Sequence, residues 1–172
     1  CGSPHYGWKE GMKAQKLGGR ERLLGLAELK RPIHERVMTT EDALRPQLIN
    51  FYHCNTVLIE GVTLLNSPFW VIHPLLCESL IVRGVHIFNR GPNGDGCDPE
   101  SCKNVLIEDC HFDTGDDCIA GFDNHDMIVR NCILNTACQS MRLGGNNILV
   151  ENCTSDARNF GFRLRLSTEE KA

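Results

Sequence analysis

The stretch Val105-Leu106-Ile107-Glu108-Asp109-Cys110 is one of five copies of a single pattern: a short aliphatic run, a charged residue, then Gly, Asp or Asn, then an apolar or Cys position. The other copies are Val57-Leu58-Ile59-Glu60-Gly61-Val62, Leu80-Ile81-Val82-Arg83-Gly84-Val85, Met127-Ile128-Val129-Arg130-Asn131-Cys132 and Ile148-Leu149-Val150-Glu151-Asn152-Cys153. Their starts lie 23, 25, 22 and 21 residues apart, with Asn, Asp, Gly and Pro in the intervals. A recurring period of this length marks a solenoid, whose units bury their apolar faces against one another. The third position is always Ile or Val, and polar residues alternate with apolar ones around it, so each copy reads as a short strand with one buried face. No interval offers a clear amphipathic helix long enough for a crossover between parallel strands, and the Leu-rich consensus of leucine-rich repeats is absent. What remains is an all-β chain, a single-stranded parallel β-helix, with each coil about 4.8 Å above the last.

The coils are expected over residues 46–172, preceded by an N-terminal segment, 1–45, that carries a polar insertion. Charged residues dominate 9–46, where residues 20–29 have helical character before Pro32 and the rest reads as a solvated excursion. The whole chain has 172 residues, 41% of them hydrophobic, and a formal charge of -4. That balance fits one folded domain and gives no basic footprint for nucleic acid. No apolar run of about 18 residues suggests a membrane span. The start at Cys1 and the finish at Lys171-Ala172 suit a fragment or a processed chain, and a solenoid without polar caps is expected to self-associate through its exposed ends.

Ten cysteines include no CxxC pair. Cys110, Cys132 and Cys153 take one place in three successive copies, and Cys54, Cys77 and Cys102 each stand three residues before a strand. Small apolar thiols suit the inside of a tight coil, so free buried ladders are expected rather than disulfides or a metal site. Cys118 reads as packing beneath the acidic residues that precede it. His73, His86 and His111 lack the mutual spacing of a zinc site, and no metal or cofactor is expected.

Three carboxylates stand out. Asp95 lies in Asn93-Gly94-Asp95-Gly96-Cys97-Asp98, Asp116 and Asp117 lie in Thr114-Gly115-Asp116-Asp117-Cys118, and 95 to 116 is 21 residues, about one coil. Asp95 should therefore neighbour Asp116 or Asp117, with Gly94, Gly96 and Gly115 permitting the turns that bring the side chains together. Crowded like charges keep one carboxyl protonated while another stays ionised. Glycoside hydrolysis needs that division between a proton donor and a group that activates water. The other aspartates, Asp109, Asp113, Asp123 and Asp126, read as turn caps.

These two motifs resemble the Asn-X-Asp-Gly-X-Asp and Gly-Asp-Asp-Cys motifs of family 28 glycoside hydrolases, the polygalacturonases and rhamnogalacturonases. Asn66-Ser67-Pro68-Phe69-Trp70-Val71-Ile72-His73 is similar to another coil of that family, and Arg45-Pro46 with Leu48-Ile49-Asn50-Phe51 to the entry into it. The similarity runs from about residue 45 to 153, and weakly to 166. It implies a right-handed, pectin-lyase-like solenoid and an inverting hydrolase of pectic or related polysaccharides, secreted or periplasmic. Asp116 would be the general acid, with Asp95 and Asp117 positioning and deprotonating water about 6.5–9.5 Å away. Asn93 and Trp70 are the expected substrate contacts beside it, Trp70 by stacking on a sugar ring. Arg163 and Arg165, in Arg163-Leu164-Arg165, are the counterpart of a motif that grips a uronate carboxylate. The family's Gly-His-Gly motif has no histidine here: the stretch reads Asn135-Thr136-Ala137-Cys138-Gln139-Ser140-Met141-Arg142, leaving Arg142 or Gln139 to line the cleft and Arg142 as a further substrate contact. Two rival readings are a calcium-dependent polysaccharide lyase, with the aspartates as oxygen ligands, and a non-catalytic glycan-binding solenoid.

Overall fold

The structure, a computed structural model, describes residues 18–164. Arg165 lies outside the described residues. Among the described residues, the α-helix α1 (Arg20–Glu28) precedes the coils and buries none of its residues. It is tied down by an ion pair from Arg22 to Asp42, 2.7 Å, where Asp42 also caps a short turn by accepting the Thr39 N–H. The helix expected over 20–29 is present, on the surface.

Every strand pairing that follows is parallel. A six-stranded sheet orders β2 (Asn55–Glu60), β5 (Glu78–Arg83), β7 (Lys103–Glu108), β9 (Ile119–Arg130), β11 (Gln139–Glu151) and β13 (Phe160–Leu164). A five-stranded sheet orders β3 (Thr63–Leu65), β6 (His86–Asn89), β8 (His111–Thr114), β10 (Ile133–Thr136) and β12 (Thr154–Ala157). The third face starts with β1 (Ile49–Tyr52) on β4 (Ile72–Leu75) and continues through the bridges Ile72–Cys97 and Cys97–Ile119 into the first half of β9. The chain is a right-handed parallel β-solenoid of about five turns.

The register is the one the repeat predicts, with Val57 beside Leu80, Val105, Met127 and Ile148 in turn. The fifth position explains itself: Gly61, Gly84, Asp109, Asn131 and Asn152 have φ of 63, 57, 55, 54 and 51°. Only Gly, Asn and Asp visit that left-handed region routinely, which is why those residues alternate at this place. Asp123 and Asp126 also occupy left-handed positions, whereas Asp113 lies within β8 and pairs with Arg90 at 2.6 Å instead of capping a turn. The core is a stack of Ile, Val and Leu with Phe112 and the cysteine ladders. Cys77, Cys102, Cys110 and Cys132 are buried, Cys54 and Cys153 partly so, and all nine described cysteines are free thiols.

Candidate active site

The corner between the β6–β8–β10 face and the third face narrows along the solenoid, from residues 90–96 to 115–118 and then 137–138. Main-chain bonds thread it coil by coil: Val71 N–H donates to Asp95 O (2.9 Å), Gly96 N–H to Asp117 O (3.0 Å) and Cys118 N–H to Gln139 O (3.1 Å). Asp95, Asp117 and Gln139 thus stand in one column, and Asp117, not Asp116, is the direct neighbour of Asp95. Asp116 sits beside them on the bend, half-buried, while Asp95 and Asp117 are 4% and 1% exposed.

The glycines serve the site by close approach rather than by left-handed backbone, since none of Gly94, Gly96 and Gly115 has such a φ. A Cβ at Gly96 would lie 2.5 Å from Cys118 O, and one at Gly115 would lie 2.3 Å from Gly91 O. Neighbouring coils can approach this closely only where there is no side chain.

Asp116 is held from several sides. Its carbonyl accepts hydrogen bonds from the Thr114 and Thr136 hydroxyls, its Oδ1 accepts the Asp117 N–H (3.1 Å), and Asn93 Nδ2 donates to its Oδ2 at 3.4 Å. Asn93 is set in turn by Arg45, which donates to its Oδ1 at 2.8 Å and to the Pro68 and Pro92 carbonyls. Arg142 reaches back from the next coil to pair with Asp117 Oδ2 at 3.0 Å, its guanidinium 5.0 Å above the Phe122 ring. Trp70 stacks on Phe69 at 4.8 Å and meets His73 edge-on. Arg163 stands in register with Arg142, exposed on β13.

Burial, and then the charges of Asp116 and Asp117, push the Asp95 carboxyl up to about 8. Asp98, deeper still, is raised well above the usual carboxylate range by burial and by Asp95. Burial also raises Asp117, against the pull of the Arg142 cation. At neutral pH the cluster therefore combines a protonated carboxyl on Asp95 with a cation-paired one on Asp117. Cys118 is buried below, its thiol pushed up to about 12, and works as packing. Among the described residues, Asp116, Asp117 and Cys138 each bring a carboxylate or thiol atom within 4.8 Å of the others, which crowds this corner further.

The fold gathers Asp95, Asp116, Asp117, Asn93 and Arg142, all expected at the site from the sequence, at one corner. Trp70 lies on the same corner one coil earlier, next to Val71. Arg45, Thr114, Thr136 and Asp98 were not singled out there as site residues. Thr114 and Thr136 did leave a signal, since they occupy one register position 22 residues apart. Arg45 stands in the family-like entry segment Arg45-Pro46, but its contact with Asn93 spans 48 residues and is not readable from spacing.

A parallel β-solenoid with carboxyls crowded at one corner is the arrangement that the family resemblance implies. The family Glycosyl hydrolases family 28 matches residues 35–165, and the chain belongs to it. A probable polygalacturonase of Vitis vinifera is 42% identical over 86 residues, which cover 47% of this chain and 18% of the relative. A probable polygalacturonase of Arabidopsis thaliana is 32% identical over 133 residues, 70% of this chain and 29% of the relative. The crystal structure of a hyperthermoactive exopolygalacturonase from Thermotoga maritima superimposes with a TM-score of 0.75 at 36% identity, over 85% of this chain and 37% of that one. The chain thus spans less than a third of either curated relative's length. The family match does not favour the lyase reading.

Proposed function

We propose that the chain hydrolyses glycosidic bonds in a pectic, galacturonic-acid-containing polysaccharide or oligosaccharide, with inversion at the anomeric carbon. The carrying observation is the column of Asp95 and Asp117 with Asp116 beside it, in a family whose matched relatives are named polygalacturonases. In the competent form Asp116, the least buried of the three, donates its proton to the leaving oxygen. Asp117 takes the proton of the attacking water, and Asp95 orients that water from the coil below. Asn93 steadies Asp116 by its side-chain amide, and Trp70 and Arg163 offer an aromatic face and a cation to sugars on either side. Such a polymer lies outside the cell membrane, so the working place is secreted or periplasmic; among the described residues no helix is long and apolar enough to cross a membrane.

The test is release of reducing ends from homogalacturonan, rhamnogalacturonan and neutral glycans by the full chain, with and without a chelator. Chelator-resistant release that falls by about 10²–10⁴ in Asp116→Asn is expected. Glycan binding without turnover would favour the non-catalytic solenoid instead.

A further inference from the structure

Arg142 makes its principal contact inside the protein. In register beneath it, one coil earlier, stands Ala120, 2% exposed, whose single methyl leaves a path for the longer side chain to reach back toward the corner. That path ends at Asp117, with the Arg142 side chain 34% exposed and the Asp117 side chain 2% exposed. Phe122 carries the guanidinium from below, a contact that suits a planar cation. Facing Asp117 are Asp95 from the coil before, Asp116 and Cys118 from its own bend, Cys138 and Arg142 from the coil after, and Asp98 deeper in the wall. The anionic groups in that set and the burial all favour a neutral Asp117. A neutral Asp117 cannot take a proton from water, so the position works as a base only if a cation offsets them.

We propose that Arg142 is a positioning residue: it holds Asp117 as the carboxylate that activates water. This rests on the hydrolytic reading above. It gives Arg142 a role through Asp117 in place of a grip on the substrate. An arginine suits the task because its charge persists across the whole working pH range.

The experiment compares the full chain with Arg142→Met, Arg142→Gln and Arg142→Lys in two measurements. One is the pH titration of the Asp117 carboxyl carbon by NMR, which needs no turnover. The other is the pH profile of kcat/KM on polygalacturonate and on its uncharged methyl ester. In the neutral variants the Asp117 titration and the acidic limb of the profile should rise together by about one to three pH units, on both substrates. The lysine variant should bring both back most of the way. An unmoved titration, with KM raised for the charged polymer alone, would make Arg142 a substrate contact and overturn the proposal. If no substrate is turned over, the hydrolytic reading fails, while the titration still decides whether Arg142 sets the charge of Asp117.

Discussion

Two charged columns run up this solenoid, and they are built on opposite rules. On the outer face of the six-stranded sheet, Glu60, Arg83, Glu108, Arg130 and Glu151 stand in register, alternating in sign at every coil. Arg83 pairs with Glu60 at 3.1 Å and with Glu108 at 2.6 Å, and Arg130 closes on Glu108 from the other side, also at 2.6 Å. At the corner of the third face, Asp95, Asp116 and Asp117 gather with like sign, and Arg142 pairs with Asp117 alone. The outer column holds its carboxylate below the usual range, because two arginines donate to Glu108. The corner pushes the Asp95 and Asp117 carboxyls up, because burial and like charge have no equal compensation. Alternation stabilises stacked coils, whereas accumulation of one sign costs stability and is what acid/base chemistry requires.

Breaking the close approach that builds the corner should have the largest effect on folding. Gly96→Ala forces a methyl against the Cys118 carbonyl, a main-chain atom that cannot swing away, so unfolding in denaturant should show a loss of about 1–3 kcal/mol. An unchanged midpoint would mean that the coils have slack at this point.

Relieving the like-charge crowding should have an effect of opposite sign that depends on pH. Asp95 titrates near 8 in the fold and near about 3.9 when unfolded, so between those values the folded state holds a proton that the unfolded chain has lost. Its contribution is greatest below pH about 4 and is lost as pH rises through about 8. Asp95→Asn should therefore flatten this decline and raise the melting temperature at pH 8 and above, while turnover is lost. A steeper decline in the variant would place the strain elsewhere.

The outer column should give the mirror image, and the smallest effect. The Glu108 carboxyl is depressed in the fold, so its pairing supports stability above the unfolded value of about 4.3 and is lost as pH falls through the lower folded value. Glu108→Gln should lower the melting temperature at neutral pH, less so in high salt, and leave turnover unchanged. A loss of turnover would show that the two columns are not independent.

The coil register was legible because a left-handed turn admits few residues and recurs on every coil, so Gly61, Gly84, Asp109, Asn131 and Asn152 mark it in the sequence itself. The acidic corner was legible to within one residue. A period of 21 or 22 leaves Asp116 and Asp117 equally eligible as the neighbour of Asp95, and only the bond from Gly96 to the Asp117 carbonyl separates them. The glycines belong to the corner through close packing between coils, which turn propensity does not show. The Arg142–Asp117 pair lies deeper, because it depends on a long side chain leaving its own coil over Ala120. Side-chain reach across coils is not a property of spacing. The alternating Glu and Arg of the outer column were in plain view in the repeat, and their meaning emerges only when the coils are stacked.

In the proposed reaction the crowded corner splits a glycosidic bond by acid-assisted attack of water. Proton NMR of the first product released from an α-linked galacturonan by the full chain tests it most directly. Inversion should give the β-anomer before mutarotation, and none should form in Asp116→Asn. An α-anomer, or an unsaturated sugar, would contradict it.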